Sequence, residues 1–182
     1  LMKNPSFEDP PQCCKAPWGW TSCGPPDESP PDIQPGSFNV SWQAAHGRTY
    51  VSLVVRDNNT TESMGTRLYE PLKAGRSYNL KAELARVELF MSLSRSTGEE
   101  TNYATPVKLR IWCGSSECDR AELLAESPLI TLMRWVDYEF VLSPQKQDYD
   151  YLILEAYYKT PVLFPYNGNL LIDNLRLTHI IK

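Results

Sequence analysis

Histidine is almost missing from this 182-residue chain, with only His46 and His179 present. There is also no G-x-S-x-G elbow, no glycine-rich phosphate loop and no H-E-x-x-H pair. The common signatures of serine hydrolases, nucleotide-binding enzymes and zinc proteases are therefore lacking. A glycosidase needs only two suitably spaced carboxylates, but no pair stands out among the 22 acidic residues. The expectation is a domain that is not an enzyme. Long apolar runs are missing too: LILEAYY at 152–158 is interrupted by Glu155. It falls far short of the roughly 18 to 20 residues that span a bilayer, so no membrane insertion is expected. Nor is there an excess of positive charge. Eighteen basic residues against 22 acidic ones give a formal net charge of -4, which offers no field to hold nucleic acid or an anionic membrane. The opening Leu1-Met2-Lys3-Asn4 lacks a basic, then apolar, then small-residue leader. An export signal is expected to have been removed or never present.

The length suits a single domain over 1–182 with a sizeable core, and 42% hydrophobic residues with 22% charged ones describe a globular protein. Five cysteines are present. Cys113 and Cys118 flank the polar GSSE, while Cys13, Cys14 and Cys23 lie in a proline-rich stretch. Two local disulfides and one spare thiol are the simplest arithmetic. A zinc site fits poorly, because Cys113 and Cys118 have no partner pair of Cys or His at suitable spacing. Oxidised cysteines point to an exported protein, secreted or on the outer cell surface.

More than half of the fifteen prolines fall in 9–37, so this stretch is expected to be a long surface loop rather than a helix or central strand. Trp18, Trp20 and Trp42 lie in or beside it, either as an aromatic platform or as staples, with Trp20 the favoured staple because so long a loop needs an anchor. Beyond it, apolar residues recur with period two in 49–57, 76–88, 106–114, 134–142, 150–158 and 169–180. These read as strands. A further strand is expected over 62–72, ending at Pro71, and 120–128 reads as either one helical turn or an edge strand. With no helical period between them, the fold class is all-β: an antiparallel β-sandwich of the jelly-roll type with long loops.

Five segments in order, NPSFED (4–9), PWGW (17–20), AAHGRTYVSLVVRD (44–57), PLKAGRSYNLKAELA (71–85) and LLIDNLRL (170–177), together resemble the galactose-binding-like jelly rolls that include many carbohydrate-binding modules. The likeness runs from the first strand to the last and is closest to versions in secreted or outer-membrane proteins of Bacteroidetes. The resemblance implies a structural calcium held by Glu8, Asp173 and backbone carbonyls near Ser6 and Arg48, a mixture of oxygen ligands that calcium accepts. The alternative is that Glu8 caps a turn and Asp173 hydrogen-bonds its own backbone beside Asn174. The 9–37 loop and the insertion at 89–106 depart from the family pattern, and both could reshape or cover a sugar cleft.

Sugar recognition calls for flat rings beside planar donors and acceptors. In PVKLRIWCG, alternation puts Val107, Leu109 and Ile111 on one face and Lys108, Arg110 and Trp112 on the other. The same reasoning turns Arg56, Arg67, Tyr69 and Tyr157 outward, so the candidate ligand-binding residues are Arg56, Arg67, Tyr69, Arg110, Trp112 and Tyr157. The plainer reading is an ordinary polar face whose arginines pair with glutamates. Two functions follow: a non-catalytic glycan-binding module, or a protein-docking domain of a bacterial surface, adhesin, secretion or gliding-motility assembly. The partner is accordingly a glycan or a cell-surface protein.

Overall fold

The computed structural model describes residues 1–181. Among them there is no helix, and strands follow one another from end to end. They are β1 (Thr21–Ser22), β2 (Asp32–Gln34), β3 (Tyr50–Val55), β4 (Ser63–Leu72), β5 (Tyr78–Ala85), β6 (Met91–Leu93), β7 (Glu100–Asn102), β8 (Thr105–Pro106), β9 (Lys108–Gly114), β10 (Glu122–Glu126), β11 (Val136–Leu142), β12 (Tyr149–Tyr157) and β13 (Gly168–His179). The long apolar-alternating segments all form strands, and the arguable 120–128 supplies the edge strand β10 rather than a helical turn.

Two sheets face each other. One has the order β1-β4-β12-β9-β10, the other β11-β5-β13-β3-β2, with β8 alongside β13. Pairing is antiparallel except between β8 and β13. The core lies between the sheets, where Leu109, Ile111, Leu152, Leu154 and Ala156 meet Val51, Leu53, Leu80, Leu84, Leu170 and Ile172. All six residues of β3 are buried, because its other face, carrying Tyr50 and Val54, packs under the loops against Val40, Val87, Phe90 and Tyr103. That sheet has no free polar face in this region. Its counterpart containing β9 does.

The proline-rich segment contributes only β1 and β2, each at the edge of a sheet, where a chain poor in N–H donors does least damage to the ladder. Trp20 is the staple: it is buried, its ring lies 5.3 Å from that of Phe7, and its Nε1 donates to the Asn4 carbonyl at 3.2 Å. Trp18 remains 57% exposed.

The expected local disulfides are corrected in part. Cys13 pairs with its neighbour Cys14, but Cys118 pairs with Cys23, 95 residues away. Cys113 is the free thiol and is fully buried. The reason is strand parity: Cys113 follows Val107, Leu109 and Ile111 on the inward face, whereas Cys118 lies in the loop that folds back over the outward one.

The 89–106 insertion forms the hairpin β6–β7, and Asp57 anchors the turn that follows β6. Its carboxylate accepts from the hydroxyls of Ser94 and Ser96, from the backbone N–H groups of Arg95 and Ser96, and from Asn167 Nδ2. Partial burial opposes ionisation, but the hydrogen bonds from Ser94, Ser96 and Asn167 outweigh it and hold the pKa at about 2, below the ordinary 3.8. A depressed folded value stabilises the protein above the unfolded pKa, and that stability is lost as the pH falls through the folded one. Asp57→Asn should cost about 1 to 2 kcal/mol at neutral pH, allowing for partial exposure. It should also flatten the fall in melting temperature between about pH 4 and 2, which thermal melts across that window will read.

Candidate functional site

The outward face of the β4-β12-β9-β10 region carries the candidate site, and register sets its rows. Glu155 of β12 lies opposite Arg110 of β9, Tyr157 opposite Lys108, and Ile153 opposite Trp112. On the other side of β12, Glu155 pairs with Ser63 and Tyr151 with Arg67 of β4. Glu126 of β10 lies opposite Arg110. Alternation along four neighbouring strands thus converges charged groups and rings on one surface.

Their contacts form a connected set. The Arg110 guanidinium carbon sits 3.6 Å from the centroid of the Tyr157 ring, the stacked geometry favoured for a guanidinium on an aromatic face. Arg110 Nε also donates to Glu126 Oε1 at 2.6 Å, and Lys108 Nζ donates to Glu126 Oε2 at 3.1 Å. Partial burial opposes the Glu126 charge, but the Lys108 and Arg110 hydrogen bonds prevail and keep its pKa low. Alongside, Glu155 accepts from Trp112 Nε1 at 3.2 Å and from Thr61 Oγ1 at 3.3 Å, and it is ion-paired with Arg120. The arginines do pair with glutamates, as the plainer reading holds, and the pairing fixes Arg110 in place without burying it.

Part of this face is covered. The 115–119 loop lies flat on the sheet, with the Glu117 carbonyl oxygen 1.9 Å from where a Cβ on Gly65 would stand, and that of Asp119 at 1.9 Å from one on Gly114. Only glycine admits such an approach. Ile153, on the outward side, is fully buried beneath it. The Cys23–Cys118 disulfide ties this loop to the proline-rich segment. Two depressions flank the covered strip, each of about 330 Å³: one lined by Arg67, Tyr151, Trp20 and Glu117, the other by Ser63, Thr61 and Arg120.

Of the sequence-predicted ligand residues, Arg110, Trp112 and Tyr157 come together, joined by Lys108, Thr61, Arg120, Glu126 and Glu155. Arg67 shares the sheet but borders the other depression, and Tyr69, 67% exposed, lies two residues further along β4. The placement of Arg56 in the groove is corrected. It is 1% exposed, beyond the end of β3 in the opposite sheet, and is held by Glu62 at 2.7 Å and Glu28 at 3.4 Å. Loop residues 28–29 cover it, and its Nη2 donates to the Ser29 carbonyl. Arg120 and Glu126 were missed because their own segments alternate poorly; Glu126 is found by its register with Arg110, and Arg120, outside any strand, only by its ion pair with Glu155.

The residues implied for calcium also meet. Ser6 Oγ lies 3.3 Å from Glu8 Oε1, 3.4 Å from Asp173 Oδ1, 2.7 Å from His46 Nδ1 and 3.3 Å from the His46 carbonyl. Arg48 contributes its backbone N–H to both Glu8 oxygens, at 3.1 and 3.0 Å, and the carbonyl facing Ser6 belongs to His46. Asp173 does bond its neighbour, accepting the Asn174 N–H at 2.7 Å. Yet it is fully buried, and burial, with the Glu8 charge adding to it, raises its pKa to about 6. Among the described residues no side-chain cation is ion-paired with either carboxylate. Two carboxylates, a hydroxyl and a carbonyl form a hard oxygen donor set, which fits calcium.

No protein-family model and no curated protein matches the chain. Solved structures do match in fold. The Fisc cyclase from Fischerella sp. TAU aligns with a TM-score of 0.59 at 15% identity, over 99% of this chain and 96% of that one. The CBM22-1 xylan-binding domain from Paenibacillus barcinonensis gives 0.56 at 13% identity over 97% and 92%. The fold they share with this chain is the jelly-roll β-sandwich. The K1 cleaved adhesin domain of Lys-gingipain from Porphyromonas gingivalis shares it as well, at 0.57 and 13% identity over 97% and 96%. At such identities the likeness concerns the backbone alone.

Proposed function

We propose that this domain is a non-catalytic glycan-binding module that acts outside the cell, with its site at the open end of the β12–β9 face. The carrying observation is Arg110, stacked on Tyr157 and clamped by Glu126 beside the Ser63–Thr61–Arg120 depression. A held guanidinium, a lysine and two carboxylates provide fixed donors and acceptors for hydroxyls, and the half-buried Trp112 supplies a ring. The acidic side chains there are committed to ion pairs, which favours binding over catalysis. Jelly rolls of this kind include a xylan-binding domain, so xylohexaose and soluble xylan are the first ligands to try, followed by a glycan array. Arg110→Ala should weaken the selected glycan at least about tenfold, or roughly 1.4 kcal/mol, in isothermal titration, with the fold retained. Undiminished binding by the variant would remove the site from this face.

A second reading, protein docking at a cell surface, is favoured by one feature. A cleft of about 700 Å³ is lined by Leu129, Pro161, Leu163, Phe164 and Tyr166, and Leu163 and Phe164 are 84% and 66% exposed. Exposed apolar surface of this kind suits a protein partner more than a hydroxylated sugar.

The Ser6, Glu8, His46 and Asp173 cluster is proposed as a structural calcium site pinning the N-terminal segment to β13. Calcium at about 100 times its dissociation constant stabilises a fold by roughly 2.7 kcal/mol, some 5 to 10 °C for a domain of this size. Chelator should lower the melting temperature by that amount, and Asp173→Asn should abolish the response. A melt indifferent to chelator would leave the cluster as a hydrogen-bonded clasp.

A further inference from the structure

We propose that Cys13, Cys14 and Asp32 form a redox-gated site for a thiophilic d10 cation such as zinc, closed while the vicinal disulfide is intact and opened by its reduction. The three ligand atoms already lie within 4.8 Å of one another. The frame that holds them is hydrogen-bonded to β2. Gln12 bonds Ile33 of β2 through both backbone groups, at 3.0 and 2.9 Å, which places the cysteines along the outer edge of that sheet. The Cys14 N–H donates to Asp32 Oδ1 at 2.9 Å, while Ser52 Oγ donates to Asp32 Oδ2 at 3.2 Å. Asp32 is 2% exposed, so its carboxylate is fixed from within the sheet with one oxygen turned toward Cys14. Both cysteines are at the surface, within reach of a reductant and of an ion from solvent.

The chemistry balances with a dithiol as reductant. The dithiol gives two electrons and two protons: the Cys13–Cys14 sulfur–sulfur bond breaks, each sulfur takes a proton, and the reductant leaves as a disulfide. A divalent cation then displaces both thiol protons and is held by two thiolates and the Asp32 oxygen. Zinc has no directional d-electron preference and takes Sγ at about 2.3 Å and carboxylate oxygen at about 2.0 to 2.2 Å, which puts ligand atoms roughly 3.5 to 3.8 Å apart in a tetrahedron. That spacing requires the freed sulfurs to swing apart while the backbone stays bonded to β2. Three protein ligands leave the fourth position to water. Two soft thiolates select such an ion over calcium or magnesium.

The test titrates Cd2+, a spectroscopic stand-in for zinc, into the wild-type protein before and after reduction by a phosphine, with circular dichroism confirming that the reduced chain stays folded. A sulfur-to-metal charge-transfer band at one ion per chain is expected only after reduction. It should vanish in Cys13→Ser/Cys14→Ser, which keeps the other three cysteines and so subtracts their contribution. Asp32→Asn, which preserves shape, should weaken binding at least about tenfold, the loss that even a supporting group produces. Should reduction of the Cys23–Cys118 bridge unfold the chain, the same titration is read on protein in which mass spectrometry shows only the 13–14 bond opened. The proposal is overturned if the band persists in the double serine variant, is absent from folded protein with Cys13 and Cys14 reduced, or is unchanged in Asp32→Asn.

Discussion

Cys118→Ser is expected to lower stability by roughly 4 to 5 kcal/mol. The bond it removes closes a loop of 95 residues, and the chain-entropy cost of leaving a loop near 100 residues open is about 4.7 kcal/mol at 25 °C. For a domain of this size the melting temperature should fall by about 10 to 20 °C. Cys23→Ser should cause the same fall, and the two together little more, because both single variants break one bond. The effect is also local. Cys118 closes the loop whose Glu117 and Asp119 carbonyls press onto Gly65 and Gly114, so its release should raise hydrogen exchange along β4 and β9 near those glycines. Differential scanning calorimetry and exchange mass spectrometry read both results. A single-variant loss below about 1 kcal/mol would mean that packing over Ile153, and not the bridge, holds the loop.

Arg56→Ala should cost about 3 to 5 kcal/mol, the usual penalty for removing one partner of a buried ion pair. Burial and the nearby charge of Asp32 oppose ionisation of Glu62, and the Arg56 guanidinium works against them. Without Arg56, Glu62 is buried with no cation, although its other oxygen still accepts the Val54 N–H at 2.9 Å. Replacing both partners by apolar residues of similar volume, Arg56→Met with Glu62→Met, should recover much of the loss, since desolvation is then relieved on both sides. Glycan affinity should be unchanged in any of these variants that fold. Chemical denaturation of the single and double variants checks the sign. A double variant as unstable as Arg56→Ala would show that hydrogen bonds such as Arg56 to Ser29 outweigh the charge pairing.

The strands were legible because each buries one face, so apolar period two marks them at 106–114 and 150–158 without knowledge of their partners. The same alternation carried more information than was drawn from it: a strand with Val107, Leu109 and Ile111 inward must also turn Cys113 inward, away from Cys118. Arg56 misled for the converse reason. Its outward parity is a property of β3 alone, and the loop carrying Glu28 that covers it is distant in sequence. Arg110, Trp112 and Tyr157 emerged because two long central strands hold them. Glu126 stayed hidden because its membership depends on register between strands, and Arg120 and Thr61 because, from outside the named strands, they join only through contacts with Glu155. The covering of Ile153 by the 115–119 loop has one local trace, the glycines Gly65 and Gly114, which alone admit backbone that close.

The most direct test of a glycan site on the β12–β9 face is a nuclear magnetic resonance titration of labelled protein with xylohexaose, or with the oligosaccharide that an array selects. The expected result is a saturable shift of the Trp112 indole N–H and of the amides around Arg110, Glu126 and Tyr157, lost in Arg110→Ala. Shifts confined to the Leu163–Phe164 cleft, or none with any glycan, would contradict it and favour the protein-docking reading.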